Sequence, residues 1–567
     1  MGEIGRIRLV KFLFWLVWIG LLSYGFSLQV LGEKKYRKIA KKEHQRKIKF
    51  PAQRGLVFDY KGRVLALNSS CGSVYILPQY ISDKKKAAGL LSRFKLGSYQ
   101  SILRELRKRK RFFWIAKRID QRLADALREA VEKEGVQNAI VVIEDKRRIY
   151  PWRCCSSLLG FVGEENRGLS GLEYALDSLL KGKPGWAVLE KDALGKDYHY
   201  PSYPNIPSKP GSDVYLTIDA EVQSIAYEEV KRFVDSLGCK KGMAVILDVP
   251  TGAVRGLVNY PDFDPNHYNH YSPSHWRNYA VEDEYEPGSC FKHVIAAVCL
   301  EHKLIDTAKM INTHKGYILI SGHKIRDAHP LPDLNFPGVF IHSSNVGVSI
   351  LSLRVKPGWF YETARKLGFG APTGILLPGE AKGKIDKPEK ITRLRLANMA
   401  FGQGVTVTAL QLAASYLAIA NNGKYLKPYI IDKILKRGKI IYRGKPTLVR
   451  RALPDSLCRI LKEILYRVVE EGTGKRARIE GIEVCGKTGT SQKPLEGRYS
   501  EEKIITSFVG FFPKEHPSVL IYVVLDEPNI PYYASQIACP LFHRIARKIL
   551  HLSEYAISQN DTKESGG

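Results

Sequence analysis

Glu286-Pro-Gly-Ser289-Cys-Phe-Lys292-His-Val-Ile-Ala-Ala-Val-Cys-Leu-Glu301 is the stretch on which the reading of this chain turns. Proline and glycine break the chain ahead of Ser289, and apolar residues then recur at helical spacing. The serine is therefore expected at a helix N-terminus, with Lys292 returning to the same face one turn on. A serine hydroxyl needs a base within reach to become a nucleophile, and lysine serves only when neutral. Two further strings follow in the chain, Ser343-Ser344-Asn345 inside HSSNVG and Lys487-Thr488-Gly489-Thr490 inside CGKTGTSQ. The first offers a hydroxyl and an amide, the second a cation flanked by hydroxyls on a strand. In that order the three read as an acyl-transfer site.

Any one string is cheap. Ser82-Asp-Lys-Lys85 and Ser500-Glu-Glu-Lys503 also fit serine-x-x-lysine. The signal is the conjunction of all three in order, each in a local setting suited to its chemistry.

Taken together, EPGSCFK, SSN and GKTGT resemble the three motifs of the penicillin-binding proteins, the peptidoglycan D,D-transpeptidases. QRGLVFDYKGRVLALN, RRIYP, LLGFVG and GLSGLEYALDSLLKGKPG resemble the N-terminal half of the class B, monofunctional members. GFGAPTGILLPGE, MAFGQGVTVTALQLAASYLAIANNG and SFVGFFPKEHP resemble the remaining landmarks of the transpeptidase domain. The resemblance runs from about residue 50 to about residue 545.

It implies an α/β (α+β) transpeptidase fold, an antiparallel sheet with helices on both faces, joined to an elongated N-terminal pedestal and one transmembrane helix. The expected divisions are a cytoplasmic tail 1–11, a membrane helix 12–31, a pedestal (dimerisation-type) domain 32–208, a transpeptidase domain 209–550 and a disordered tail 551–567. It also implies roles. Ser289 attacks and Lys292 takes its proton; the backbone N–H groups of Ser289 and Thr490 form the oxyanion hole. Ser343 relays a proton to the leaving D-alanine, and Asn345 holds the substrate amide and Lys292. Lys487, Thr488, Gly489 and Thr490 receive the terminal carboxylate. The plainer reading of Ser343 is an N-cap before NVGVSILSL, and that of Thr488 an ordinary strand residue.

The implied partners are peptidoglycan stem peptides, β-lactams, the membrane, a SEDS-family glycan polymerase and other division proteins. No cofactor or metal is expected. The short run from GFVG to GLSGLE resembles division-type members, which lack the insertion of elongation-type ones. An elongation-type enzyme, a β-lactamase and a β-lactam sensor are the alternatives, but the last two leave the long pedestal without a purpose. Tyr60-Lys61 and Cys290 depart from the family's usual residues, as does Cys485.

Composition agrees. A chain of 567 residues with 44% hydrophobic content can bury large cores over several domain-sized units. The net charge of +31 is spread along the chain without a nucleic-acid motif, so anionic headgroups and an acidic wall polymer are better counterparts than nucleic acid. Phe12 to Leu31 is uncharged and reaches the ~20 residues a membrane helix needs. No small-x-small cleavage site follows it. Arg6, Arg8 and Lys11 before the span are outnumbered by EKKYRKIAKKEHQRKIKF after it, so charge counting places the large part inside. The resemblance argues the reverse, an inner-membrane protein with an extracytoplasmic catalytic domain, and long domains translocate largely regardless of charge.

Nine cysteines form no ligand spacing. Cys290 and Cys485 read as small apolar fillers. Residues 33–50 read as a basic helix, RGLVFDYKGRVLALN as a hairpin around Gly62, and KKKAAGLLSRF, SYQSILRELRKRKRFFW and QRLADALREAVEKEG as amphipathic helices. Pro207 to Asp219, PSKPGSDVYLTID, is the seam before a helix from about Ala220 to Leu237, and MAVILDVPTGAVRGLVN reads as a strand pair around Pro250-Thr-Gly.

Gly481-Ile-Glu-Val-Cys-Gly486-Lys487-Thr488 also satisfies the P-loop pattern of an ATPase, with VLIYVVLD as its second strand. A P-loop needs a phosphate nest before its lysine and a helix after it. Here Ile482 and Val484 alternate as in a strand, and Gly489 and Pro494 interrupt any helix.

Overall fold

The structure is a computed structural model that describes residues 3–37, 45–50, 52–109, 112–191, 197–198, 205–495, 498–530, 533–552 and 555. It forms two compact units, 1–54 with 181–211 and 55–180 with 212–567.

In the first unit, Glu3–Phe26 is α-helical and continues as a π-helical turn over Ser27–Leu31. Ile4–Leu31 is long and apolar enough to cross a membrane. The helix starts upstream of the uncharged run and takes in Arg6, Arg8 and Lys11. The expected helix over 33–50 is corrected: residues 33–37 are helical, 38–44 lie outside the described residues, and Gln45–Phe50 is a strand antiparallel to Gly185–Lys191. Pairing with a strand so distant in sequence satisfies the backbone in a way no local pattern reveals.

In the second unit, Val57–Phe58 and Val64–Ile76 form the expected hairpin. Helices Lys84–Arg93, Tyr99–Lys108 and Gln121–Lys133 cover its sheet. The helical reading of SYQSILRELRKRKRFFW fails at its end, because Phe113–Asp120 is a strand paired with Val64–Ile76. Aromatic and β-branched side chains favour the pleated surface there.

The catalytic sheet is assembled from distant pieces of chain. Helix α1 (Ala220–Leu237) matches its expected bounds and leads into strands β1 (Lys241–Asp248) and β2 (Val254–Tyr260). Helix α2 (His293–Glu301) follows the Ser289 turn; α3 (Phe336–Ile341) and α4 (Asn345–Ser352) flank the Ser343 turn. Helix α5 (Ala409–Ala420), strands β3 (Cys485–Leu495), β4 (Arg498–Phe512) and β5 (Val519–Asp526), and helix α6 (Ala538–Leu550) complete it. The order is β2-β1-β5-β4-β3, antiparallel throughout, with β3 at one edge.

Strand β5 is buried along its whole length because the sheet is covered on both faces. Ile521, Val523 and Leu525 join a core with α1 and α6, while Leu520, Tyr522 and Val524 join a second with α2 and α5. That alternation makes VLIYVVLD continuously apolar. Helix α5 is buried at all of its residues and α2 at seven, His293 to Cys299, so the segment carrying Ser289 and Lys292 is anchored in the interior. The Gly62 hairpin is tied to α1: Asp59 accepts the N–H of Ala220, Arg63 bridges Asp59 and Asp219 at 2.7 and 2.6 Å, and Lys61 pairs with Glu221 at 3.1 Å.

Candidate active site

Ser289 lies on a 3-10 turn, Gly288–Phe291, that runs into α2. Gly288 has φ +54°, and a Cβ there would come within 2.8 Å of the Thr490 carbonyl oxygen. Gly489 has no room for a side chain either, since its Cβ would lie 2.7 Å from the Cys290 sulfur and 2.6 Å from the Ser507 hydroxyl. Two glycines thus let the nucleophile turn press against β3. Ser491 Oγ donates to the Glu286 carbonyl at 2.7 Å across the same contact. The backbones of Ser289 and Thr490, the expected oxyanion donors, are thereby neighbours.

Lys292 is fully buried. Its Nζ donates to the Ser343 carbonyl at 2.6 Å and to Asn345 Oδ1 at 2.9 Å, and lies 3.2 Å from Ser343 Oγ. Among the described residues no hydrogen bond joins it to the Ser289 hydroxyl. Lys487 approaches from β3, with its Nζ 2.8 Å from the same Ser343 Oγ. Burial, then the charge of Lys487, holds the Lys292 pKa well below its ordinary value, against the pull of Asp327. Burial lowers Lys487 to about 8.

The plainer reading of Ser343 is corrected. Ser344 is the cap of α4, accepting the Gly347 N–H at 2.8 Å, while Ser343 precedes it with φ +57°. The left-handed turn aims the Ser343 hydroxyl away from the helix end and between the two lysines. Thr488 is no plain strand residue: its Oγ1 meets Thr473 Oγ1 at 2.7 Å and lies 3.4 Å from Lys487 Nζ. Thr490 shares that strand face by alternation. Its Oγ1 accepts the Ala534 N–H at 3.1 Å. Cys290 and Cys485 are buried, and all nine cysteines are free thiols.

Two contributors carry no motif. Thr473 holds Thr488, and Asp327 accepts from Ser344 Oγ at 2.8 Å and from the N–H groups of Asn345 and Val346, the latter at 3.0 Å. An isolated aspartate 17 to 19 positions before the residues it caps leaves no periodic trace in sequence. The competing strings come apart. Ser500 Oγ accepts the N–H of Lys503 on an exposed stretch of β4, and Lys85 is an exposed residue in the first turn of a helix capped by Asp83. Lys487 lies within an eleven-residue strand, so no helix follows the P-loop-like string. Ile482 and Val484, read as strand residues, precede that strand.

A family model described as the penicillin binding protein transpeptidase domain matches residues 242–547, and one described as the penicillin-binding protein dimerisation domain matches 49–216. The chain belongs to the class B penicillin-binding proteins. As such it is a serine-type D,D-transpeptidase. It is 32% identical over 553 residues to the probable peptidoglycan D,D-transpeptidase PenA of Neisseria meningitidis, across 96% of this chain and 92% of that protein. It is 32% identical over 540 residues to stage V sporulation protein D of Bacillus subtilis, across 93% and 82%. The crystal structure of penicillin-binding protein 3 from Mycobacterium tuberculosis, complexed with aztreonam, is similar with a TM-score of 0.69 and 26% identity, across 89% of this chain and 97% of that one.

Proposed function

We propose that this chain cross-links peptidoglycan stem peptides through an acyl-enzyme on Ser289 during septal wall synthesis. The observation that carries the reading is the Ser343 hydroxyl held between two buried lysines, one of them with a strongly depressed proton affinity.

In this reading neutral Lys292 takes the Ser289 proton as Oγ attacks the carbonyl of the penultimate D-alanine. The oxyanion is met by the N–H groups of Ser289 and Thr490, preorganised by the Gly288 and Gly489 contacts. The C–N bond then breaks, and the proton passes from Lys292 through Ser343 to the departing D-alanine amine. An amine from a neighbouring strand attacks the ester, giving up a proton to the site and releasing Ser289. Lys487, charged below about 8, pairs with the substrate carboxylate, assisted by Thr488 and Thr490. Strand β3 lies at the sheet edge, where an extended peptide can add as a further strand. Hydrogen bonds between a general base and its nucleophile are commonly long without substrate and tighten when it binds.

The septal role rests on the short connection after Phe161, where Val162 and Gly168 form a bridge without an inserted segment. It brings with it a SEDS-family polymerase and other division proteins as partners, a catalytic domain (209–550) on the periplasmic side of the inner membrane, and a pedestal over 32–208. Labelling with a fluorescent penicillin, then mapping the modified peptide, tests the chemistry. Label on Ser289 that disappears in Ser289→Ala supports it; label on Ser82 or Ser500 overturns it. A fluorescent fusion concentrated at the division site supports the septal role, and one spread along the side wall refutes it.

A further inference from the structure

Asp327 follows the strand His323–Arg326, in the connection between the nucleophile helix and the Ser343 turn. The N-terminus of α4 already has a cap in Ser344. Asp327 nevertheless adds three contacts from outside the helix: Oδ2 accepts from Ser344 Oγ, and Oδ1 accepts from the N–H groups of Asn345 and Val346. The preceding carbonyl, that of Arg326, accepts Asn345 Nδ2 at 3.1 Å. The Asn345 side chain is thus held at both ends, by Arg326 and by Lys292 Nζ. A carboxylate clamped to a helix N-terminus is favoured by the helix dipole, but here it also acts on the buried Lys292 amine, through Asn345, which both of them contact.

We propose that Asp327 is a positioning residue for acyl transfer: it locks the Ser343–Asn345 turn in its left-handed shape and acts as the carboxylate counterweight to Lys292. This rests on the functional reading above. The groups facing Lys292 come from three elements: Lys487 from β3, Cys290 from its own turn, and Ser343, Asn345 and Asp327 from the approach to α4. Lys487 opposes a proton on Lys292, whereas Asp327 and Cys290 favour one. Two consequences separate the roles of shape and charge. An amide at position 327 keeps an oxygen toward the Asn345 and Val346 N–H groups but removes the charge, so Lys292 loses its proton at lower pH. An alanine removes the clamp altogether and frees the turn.

The test uses the full-length protein in detergent, with Asp327→Asn and Asp327→Ala. It measures the rate of fluorescent-penicillin acylation across pH together with thermal unfolding. Asp327→Asn is expected to unfold like the wild type while the acid limb of its rate profile moves at least about half a unit lower. Asp327→Ala is expected to lose at least about tenfold in acylation, with the Asn variant recovering most of that loss at neutral pH. An Asn variant whose acid limb coincides with the wild type overturns the counterweight, and this arm stands even where the alanine variant does not fold. A folded alanine variant that acylates normally overturns the clamp. A wild-type protein that takes no label at Ser289 instead refutes the functional reading, an outcome distinct from normal wild-type labelling with unresponsive variants.

Discussion

Lys487 Nζ lies 2.8 Å from the Oγ of Ser343, so the third motif is joined to the second through one hydroxyl. The same hydroxyl is 3.2 Å from Lys292 Nζ. Two ammonium groups so close cannot both keep their protons at the cost they bear in water, and the deeper field falls on Lys292. A buried lysine that holds its proton weakly is what a serine nucleophile needs.

Replacing Lys292 with arginine should abolish base catalysis without unfolding the protein. A guanidinium stays protonated at any working pH. Acylation by penicillin is expected to fall by at least about a hundredfold with an unchanged unfolding temperature. Near-normal acylation would remove Lys292 from the role of proton acceptor.

The acylation rate should be bell-shaped in pH. Lys292 works only when neutral, so the rate climbs as pH rises through its depressed pKa; Lys487 binds carboxylate only when charged, so the rate falls above about 8. Because the Lys487 pKa is lower folded than its ordinary 10.5, the unfolded chain binds the extra proton between about 8 and 10.5. Its contribution to stability therefore rises with pH across that window. Rates measured from pH 5 to 10 decide the matter, and an alkaline limb that persists unchanged in a Lys487→Met variant would contradict the assignment.

Gly489→Ala probes the close approach of β3 to the nucleophile turn. Its Cβ would meet Ser507, Cys290 and Pro287 at 2.6 to 3.0 Å, so backbone or core must shift. A loss of about 1–3 kcal/mol in stability and a clear drop in acylation are expected. A variant with wild-type acylation kinetics would mean that the oxyanion donors tolerate more displacement than this packing suggests.

Membrane orientation separates charge counting from family resemblance. A reporter active only after export, fused beyond Pro207, is expected to be active. Activity of only a cytoplasm-dependent reporter there would defeat the wall-synthesis reading, because the stem peptides would lie across the membrane.

Much of this was legible in the sequence because its causes are local. Helical spacing after Ser289, the bounds of α1, the hairpin at Gly62 and the unbroken apolar run of β5 follow from nearest-neighbour geometry and two-sided burial. Where local pattern and tertiary pairing compete, pairing prevails: Gln45–Phe50 and Phe113–Asp120 are strands because partners far along the chain satisfy their backbones.

The order and chemistry of the three motifs, and with them the reaction class, came from the sequence by itself, since a serine, two lysines, an amide and hydroxyls have few joint uses. Only the tertiary structure decided that Ser344 and not Ser343 caps α4, that Ser343 turns left-handed between the lysines, and that Asp327 and Thr473 brace the site. Proton affinity depends on burial and on charges a few ångströms away, and those neighbours are set by packing among segments 50 to 200 residues apart. No spacing rule in one dimension carries that information.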